Sequence, residues 1–292
     1  MAEGILNILK PPGMTSHDAV AFVRRLYGVK RVGHAGTLDP AAAGVLPVFV
    51  GAATRLIEYT ADADKSYRVE MTVGRETDTG DDTGNIIRTA PCVLPPNSDL
   101  DALLQEFTGE IEQVPPMYSA IKIGGKKLYD LARQGITVER QPRRIKINKI
   151  QLITVQESRI YFDVDCSKGT YIRTLCTDIG RRLGCPAVMS FLVRTRVGNF
   201  QLTEALTLEE ITEKKERALQ APDSAVAYLP PVFLTAAQAK AVVQGQAVRI
   251  DCCNQGMMRL YNDQKQFIGI GEKKGPGAPL RPVKIVCTNS GD

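Results

Sequence analysis

Residues 145–184 read IKINKIQLITVQESRIYFDVDCSKGTYIRTLCTDIGRRLG. Two strand-like runs, IKINKIQLITV and RIYFDVDCS, follow one another across the polar break QES, and only then does a helical pattern begin. Strands joined by so short a connection pair antiparallel, whereas a doubly wound parallel sheet inserts a helix between each pair. In TYIRTLCTDIGRRLG the residues Ile172, Leu175, Cys176, Ile179 and Leu183 form one apolar stripe, which predicts an amphipathic helix with Arg173 off the stripe in its first turn. The chain therefore reads as α+β, with a mixed, largely antiparallel sheet and flanking helices.

The same reading extends to both ends of the chain. Thr15 and Asp18 stand at capping-box spacing ahead of Val20, Val23 and Leu26, and Gly28 follows, so a helix is expected over Ser16–Tyr27. GVLPVFVG (44–51) has the unbroken apolar character of a buried strand. KSYRVEMTVG (65–74) sets Tyr67, Val69, Met71 and Val73 against Lys65, Arg68, Glu70 and Thr72, the pattern of a half-buried strand. Residues 200–229 are charged and helical in character, and LPP at 229–231 marks a boundary. Beyond it, a short helix capped by Thr235 and stopped by Gly245 precedes strands near 257–261, 267–270 and 282–286, a small β-rich module spanning 230–292.

The 292 residues carry a formal charge of +5. Between Ser119 and Lys149 stand nine Lys/Arg against Asp130 and Glu139, so this window is more basic than the whole chain and favours a polyanionic partner. Tyr118 and Tyr129 flank the flexible Gly124-Gly125 there, a mixture suited to shaped RNA rather than to a duplex groove. Seven cysteines without a C-x-x-C pair argue against a disulfide framework or a zinc site and for reduced, buried thiols in a cytosolic protein. Only His17 and His34 are available for a histidine metal site, and no apolar run is long enough for a membrane span.

Chemistry concentrates in RVGHAGTLDP (31–40). Gly33 and Gly36 free the backbone, and the Asp39-Pro40 step holds Asp39 extended at the expected mouth of a helix, where it serves either as a cap or as an exposed reactive carboxylate. Arg173, at a strand-to-helix junction, suits a partly buried carboxylate or a phosphate. Tyr67 reads as a core tyrosine whose hydroxyl is satisfied at the sheet edge. GRETDTGDDTG (74–84) resembles a calcium loop, yet Thr83 occupies the place where glycine is needed and no Glu follows at the right distance, so it reads as a turn.

In order, KPPG (10–13), GHAGTLDPAAAGVLPV (33–48), KSYR (65–68), GRETDTGD (74–81), YSAIKIGGKKLYDLARQG (118–135), CSKGTYIRT (166–174) and FLVRTRVG (191–198) resemble the bacterial tRNA pseudouridine-55 synthases of the TruB type. The resemblance implies a pseudouridine synthase catalytic domain over 1–229, with an RNA-gripping thumb insertion at about 116–142, and a PUA-type RNA-binding domain over 230–292. It implies guide-independent isomerisation of a T-loop uridine without metal or organic cofactor, and the protein is expected to be a cytoplasmic monomer that needs no protein partner. By position, Asp39 is similar to the family's catalytic aspartate, Tyr67 to the tyrosine stacked on the target base, and Arg173 to the arginine paired with that aspartate. Tyr171 and Leu192 match the uridine pocket, and His34 the histidine that fills the space left by the flipped nucleotide. Lys10, Lys122, Lys126, Lys127 and Arg133 are the expected RNA contacts. The rival readings are a tRNA-binding or tRNA-folding protein without chemistry, a guide-dependent relative acting in a larger particle, and a metal-dependent hydrolase built on His34 and Asp39.

Overall fold

The computed structural model describes residues 2–119, 121–251 and 254–286. The chain opens with β1 (Gly4–Lys10), α1 (Ser16–Tyr27), β2 (Val32–His34) and β3 (Ala43–Val50). Then come α2 (Ile57–Ala61), β4 (Lys65–Val73), the hairpin of β5 (Arg75–Thr77) and β6 (Ile86–Thr89), α3 (Asn97–Gln105) and β7 (Gly109–Gln113). A small hairpin, β8 (Lys122–Ile123) and β9 (Lys126–Lys127), leads into α4 (Leu128–Ala132), and β10 (Arg143–Gln156), β11 (Arg159–Cys166), α5 (Ile172–Leu183) and β12 (Ala187–Val197) complete the main sheet. After β13 (Phe200–Gln201) and α6 (Leu208–Lys214) follow β14 (Pro231–Phe233), α7 (Ala236–Val243), β15 (Gly256–Tyr261), β16 (Phe267–Lys273) and β17 (Arg281–Ile285).

The main sheet runs β1-β3-β12-β4-β11-β10-β7, with β2 added to β3 and β13 to β12. Every pairing in it is antiparallel except β3 with β12, which touch only at Val193↔Ala43 and Arg194↔Gly44. Burial explains the two sequence patterns. Strands β1 and β3 are covered on both sides, by Ala19, Val20 and Val23 of α1 on one and by Ala225, Val226, Leu229 and Ile270 on the other, so their residues are apolar almost throughout. Strands β4, β10 and β11 bury one face under Leu100 and Leu104 of α3 and Leu175, Cys176 and Ile179 of α5. Their opposite face meets solvent through ion pairs such as Arg68–Asp163 and Arg159–Glu70, hence the alternation.

Helix α1 has the expected ends: Thr15 and Asp18 form a reciprocal capping box, and Gly28 closes the helix in the left-handed conformation at φ 63°. The C-terminal strands form a separate sheet, β14-β15-β16-β17, over a core that includes Val242, Met258, Leu260 and Leu280. It docks on the main body through Ile270 and Val286, and through Arg55 donating to the Ile285 carbonyl. No helix among the described residues is long and apolar enough to cross a membrane.

Four sequence expectations need correction. Lys65 shares the inward face of β4 with Tyr67 and is buried, its ammonium donating to the carbonyls of Ala61 and Ala63. Burial first, and the nearby Arg194 charge second, hold its pKa at about 8. In 200–229 only Leu208–Lys214 is α-helical, the rest holding the short strand β13, three 3₁₀ turns and the connections between them. No helix follows Asp39; a turn leads straight into β3. Cys92 and Cys185 are joined in a disulfide across a separation of 93 residues, which no local spacing could announce. Cys166 and Cys176 are free and buried, and Cys252, Cys253 and Cys287 lie outside the described residues.

Candidate active site

The loop carrying Asp39 lies where β3 and β12 meet in parallel, and its shape is fixed from three sides. Ser16 Oγ accepts from the Leu38 amide at 2.9 Å and donates to the Leu38 carbonyl at 3.2 Å. Gly13 N–H donates to the Pro40 carbonyl at 2.8 Å. Lys10, fully buried, donates to the carbonyls of Pro11, Met14 and Pro40 at 2.8, 2.7 and 3.2 Å. The expectation that Lys10 touches RNA is therefore corrected: its ammonium is enclosed and braces the loop. Burial pushes its pKa down to about 8, the Arg194 charge adding to that and Asp39 opposing it.

Arg173 is the hub. It sits one residue into α5, whose start is set by Tyr171 in an extended conformation, and it is only 7% exposed rather than free on the surface. Its Nε lies 3.2 Å from the Asp39 carboxylate. Its Nη1 donates to the Thr79 carbonyl at 3.2 Å and faces Asp81 at 3.7 Å, and its Nη2 donates to the Tyr118 carbonyl at 2.7 Å. A planar fork is the one side chain able to meet four acceptors in these directions.

Asp81 is the residue that the sequence reading passed over. The 74–84 segment is the turn expected, but its Asp81 is buried, one carboxylate oxygen accepting from Thr79 Oγ, Thr83 N–H and Thr83 Oγ while the other faces Arg173. Threonine at 83, incompatible with an EF-hand, is what that carboxylate requires. Arg173 thus stands between two acids, Asp39 40% exposed at the side chain and Asp81 12%. The outer acid is open to a ligand; the inner one anchors the guanidinium.

Tyr67 and Leu192 lie on the inward faces of β4 and β12, in or against the cluster that holds Leu38, Val69 and Ile172. Burial raises the Tyr67 phenol, with the neighbouring Arg194 cation opposing. Tyr171 is held by Gln113, a buried side chain that donates to its carbonyl at 3.1 Å and accepts from its amide at 2.8 Å. His34 ends β2, and burial, reinforced by Arg194, pushes its imidazole below the ordinary value, favouring the neutral ring. Asp39, Arg173, Tyr67, Tyr171, Leu192 and His34 all belong to elements that meet here. Lys122, Lys126 and Arg133 are exposed on the 116–142 segment around a shallow depression they share with Asp130 and Gln134. Arg133 lies over the Tyr129 ring at 5.5 Å. Lys127 pairs with Lys122 across the β8–β9 hairpin.

Among solved structures the chain resembles the one described as a Cbf5-Nop10-Gar1 complex, at TM-score 0.75 and 27% identity over 97% of this chain and 85% of that one. It also resembles an H/ACA RNP bound to a substrate RNA containing 2'-deoxyuridine, at TM-score 0.74 and 25% identity over 98% and 86%. Fold and site together define an RNA-modifying isomerase, a pseudouridine synthase. Three family models match in succession: TruB family pseudouridylate synthase (N terminal domain) over 24–172, tRNA pseudouridylate synthase B C-terminal domain over 173–235, and Pseudouridine synthase II TruB, C-terminal, over 230–286. The tRNA pseudouridine synthase B of Symbiobacterium thermophilum is 53% identical over 84% of this chain and 83% of that protein, and that of Alkaliphilus oremlandii 45% identical over 97% of each. The chain belongs to the TruB family of pseudouridine synthases.

Proposed function

We propose that the protein isomerises a single uridine in the T-loop of tRNA, at position 55, without guide RNA and without cofactor, using Asp39 as the catalytic carboxylate. The reaction breaks the N1–C1′ bond, turns the base while it stays bound, and joins C5 to C1′. A carboxylate suits both ways of opening it, attack on C1′ or removal of the C2′ proton, because breaking N1–C1′ builds positive charge on the sugar that an adjacent anion stabilises before it adds to C1′ or takes the C2′ proton. The observation that carries the reading is the Asp39–Arg173 pair, whose guanidinium is anchored from behind by Asp81 so that Asp39 alone of the two acids faces outward.

Tyr67 stacks on the uracil ring, Tyr171 and Leu192 line its pocket, and His34, a neutral ring, takes the space that the flipped nucleotide leaves. Extrusion costs a few kcal/mol, and that filling offsets part of it. Lys122, Lys126, Lys127 and Arg133 contact phosphates of the T-arm, and residues 230–292 form the second RNA-binding unit beside a catalytic domain of residues 1–229. The protein acts as a cytoplasmic monomer that needs no protein partner. The test is to incubate purified protein with a T-arm hairpin and a chelator, without other RNA, and map pseudouridine. Product at the T-loop uridine supports the reading; its absence, with the hairpin bound, favours a tRNA-binding protein without chemistry.

A further inference from the structure

In the sheet order, β12 lies between the two strands that place the reactive groups: β3, which follows directly from the Asp39 loop, and β4, which bears Tyr67. One residue of β12 reaches both sides. Arg194, 1% exposed, donates from Nε to the Val45 carbonyl at 2.8 Å, from Nη2 to the Gly36 carbonyl at 3.1 Å and from Nη1 to the Thr37 carbonyl at 3.4 Å. On the other side it is the register partner of Tyr67, and its guanidinium lies beside the phenol. Gly44 admits the close approach of β12: a Cβ there would stand 2.2 Å from the Arg194 carbonyl oxygen.

Strict alternation would put Arg194 and Arg196 on one face. A register shift between them sends Arg196 outward to Asp165 and Ser66 and leaves Arg194 pointing in. Among the described residues no carboxylate pairs with Arg194, so the fold buries a cation whose hydrogen bonds go to backbone carbonyls. That is an expensive arrangement if the strands merely needed joining, because apolar packing of the same volume would do so. What an apolar side chain cannot supply is a rigid fork with fixed directions toward both elements.

We propose that Arg194 is a positioning residue for the isomerisation: it pins the 36–45 loop to β12 and to Tyr67, and so fixes the separation between the Asp39 carboxylate and the ring that stacks on the base. This rests on the function proposed above. Arg194 touches neither substrate nor the reacting atoms; it acts through the loop and through Tyr67.

The test is a double-mutant cycle in single-turnover pseudouridine formation, with tRNA affinity measured in parallel. Arg194→Lys keeps the charge and loses the fork. It is expected to lower the rate about 100-fold with affinity changed less than about threefold, and to lower it less than about tenfold in a Tyr67→Phe background, because contacting residues couple. A wild-type rate in Arg194→Lys, a loss of affinity in place of rate, or equal falls in both backgrounds overturns the positioning role alone. A wild-type chain that forms no product overturns the proposed function, and the positioning role with it. Thermal unfolding checks each variant. Should Arg194→Lys fail to fold, Arg194→Gln replaces it in the cycle. In the unmodified protein a nuclear Overhauser contact between the Arg194 guanidinium and the Tyr67 ring is expected as well, and its absence overturns the proposal.

Discussion

At the scale of single residues, the site depends on how one guanidinium is shared. Arg173 meets Asp39, Asp81 and the carbonyls of Thr79 and Tyr118. Lysine carries the same charge but cannot address four directions, so Arg173→Lys is expected to cut the single-turnover rate at least about 100-fold with little change in tRNA affinity. A normal rate would remove the fork from the mechanism. Asp81→Asn keeps the size and most hydrogen bonds of the inner acid while removing its charge, and should lower the rate by about ten- to 100-fold through a less constrained Arg173. Lys65 gives a pH test. Its folded pKa of about 8 lies below the ordinary 10.5, so between those values the unfolded chain holds more protons than the folded one. The lysine's charging penalty is present below pH 8 and is relieved as pH rises toward 10.5. Denaturant unfolding should therefore show the stability of the wild type rising relative to Lys65→Met over that window; a constant difference would contradict the assignment.

At the scale of elements, the disulfide ties the segment after β6 to the turn between α5 and β12, and so links the β5–β6 hairpin, whose connection carries Asp81, to the far end of the helix that begins with Arg173. Reducing it in the oxidised protein frees a 93-residue loop and is expected to cost about 2–4 kcal/mol in denaturant unfolding, while Cys92→Ser becomes insensitive to reductant. Elements whose cause is local were readable from the chain: the capping box and Gly28 bound α1, and alternation marked β4. The reading failed where the cause is tertiary. Lys65 looked solvent-facing because a charged residue ordinarily is, and what buries it is the placement of β4 between β11 and β12, far away in the chain. Arg194 was invisible in FLVRTRVG because a β-bulge separates it from Arg196, and Asp81 passed for turn composition because its partner lies 92 residues away. The Asp39–Arg173 pairing itself came from the family resemblance, since neither loop alone distinguishes a cap from a reactive acid.

At the scale of the whole molecule, charge and chemistry are spatially divided. The exposed Lys122, Lys126 and Arg133 of the 116–142 segment stand on a hairpin and at the end of a short helix outside the main sheet, whereas the cations at the site, Lys10, Lys65, Arg173 and Arg194, are buried and engaged by backbone or carboxylate. Neutralising Lys122, Lys126 and Arg133 together should weaken tRNA binding and reduce the slope of log K against log salt by about 2. An unchanged slope would show that they face away from RNA. The central claim, that Asp39 performs the isomerisation on tRNA, is tested most directly by pairing wild type with Asp39→Asn on a T-arm hairpin tritiated at C5 of its T-loop uridine. The account predicts tritium release and pseudouridine at that position from the wild type, and none from Asp39→Asn although it still binds the hairpin. Turnover by Asp39→Asn near the wild-type rate would contradict it.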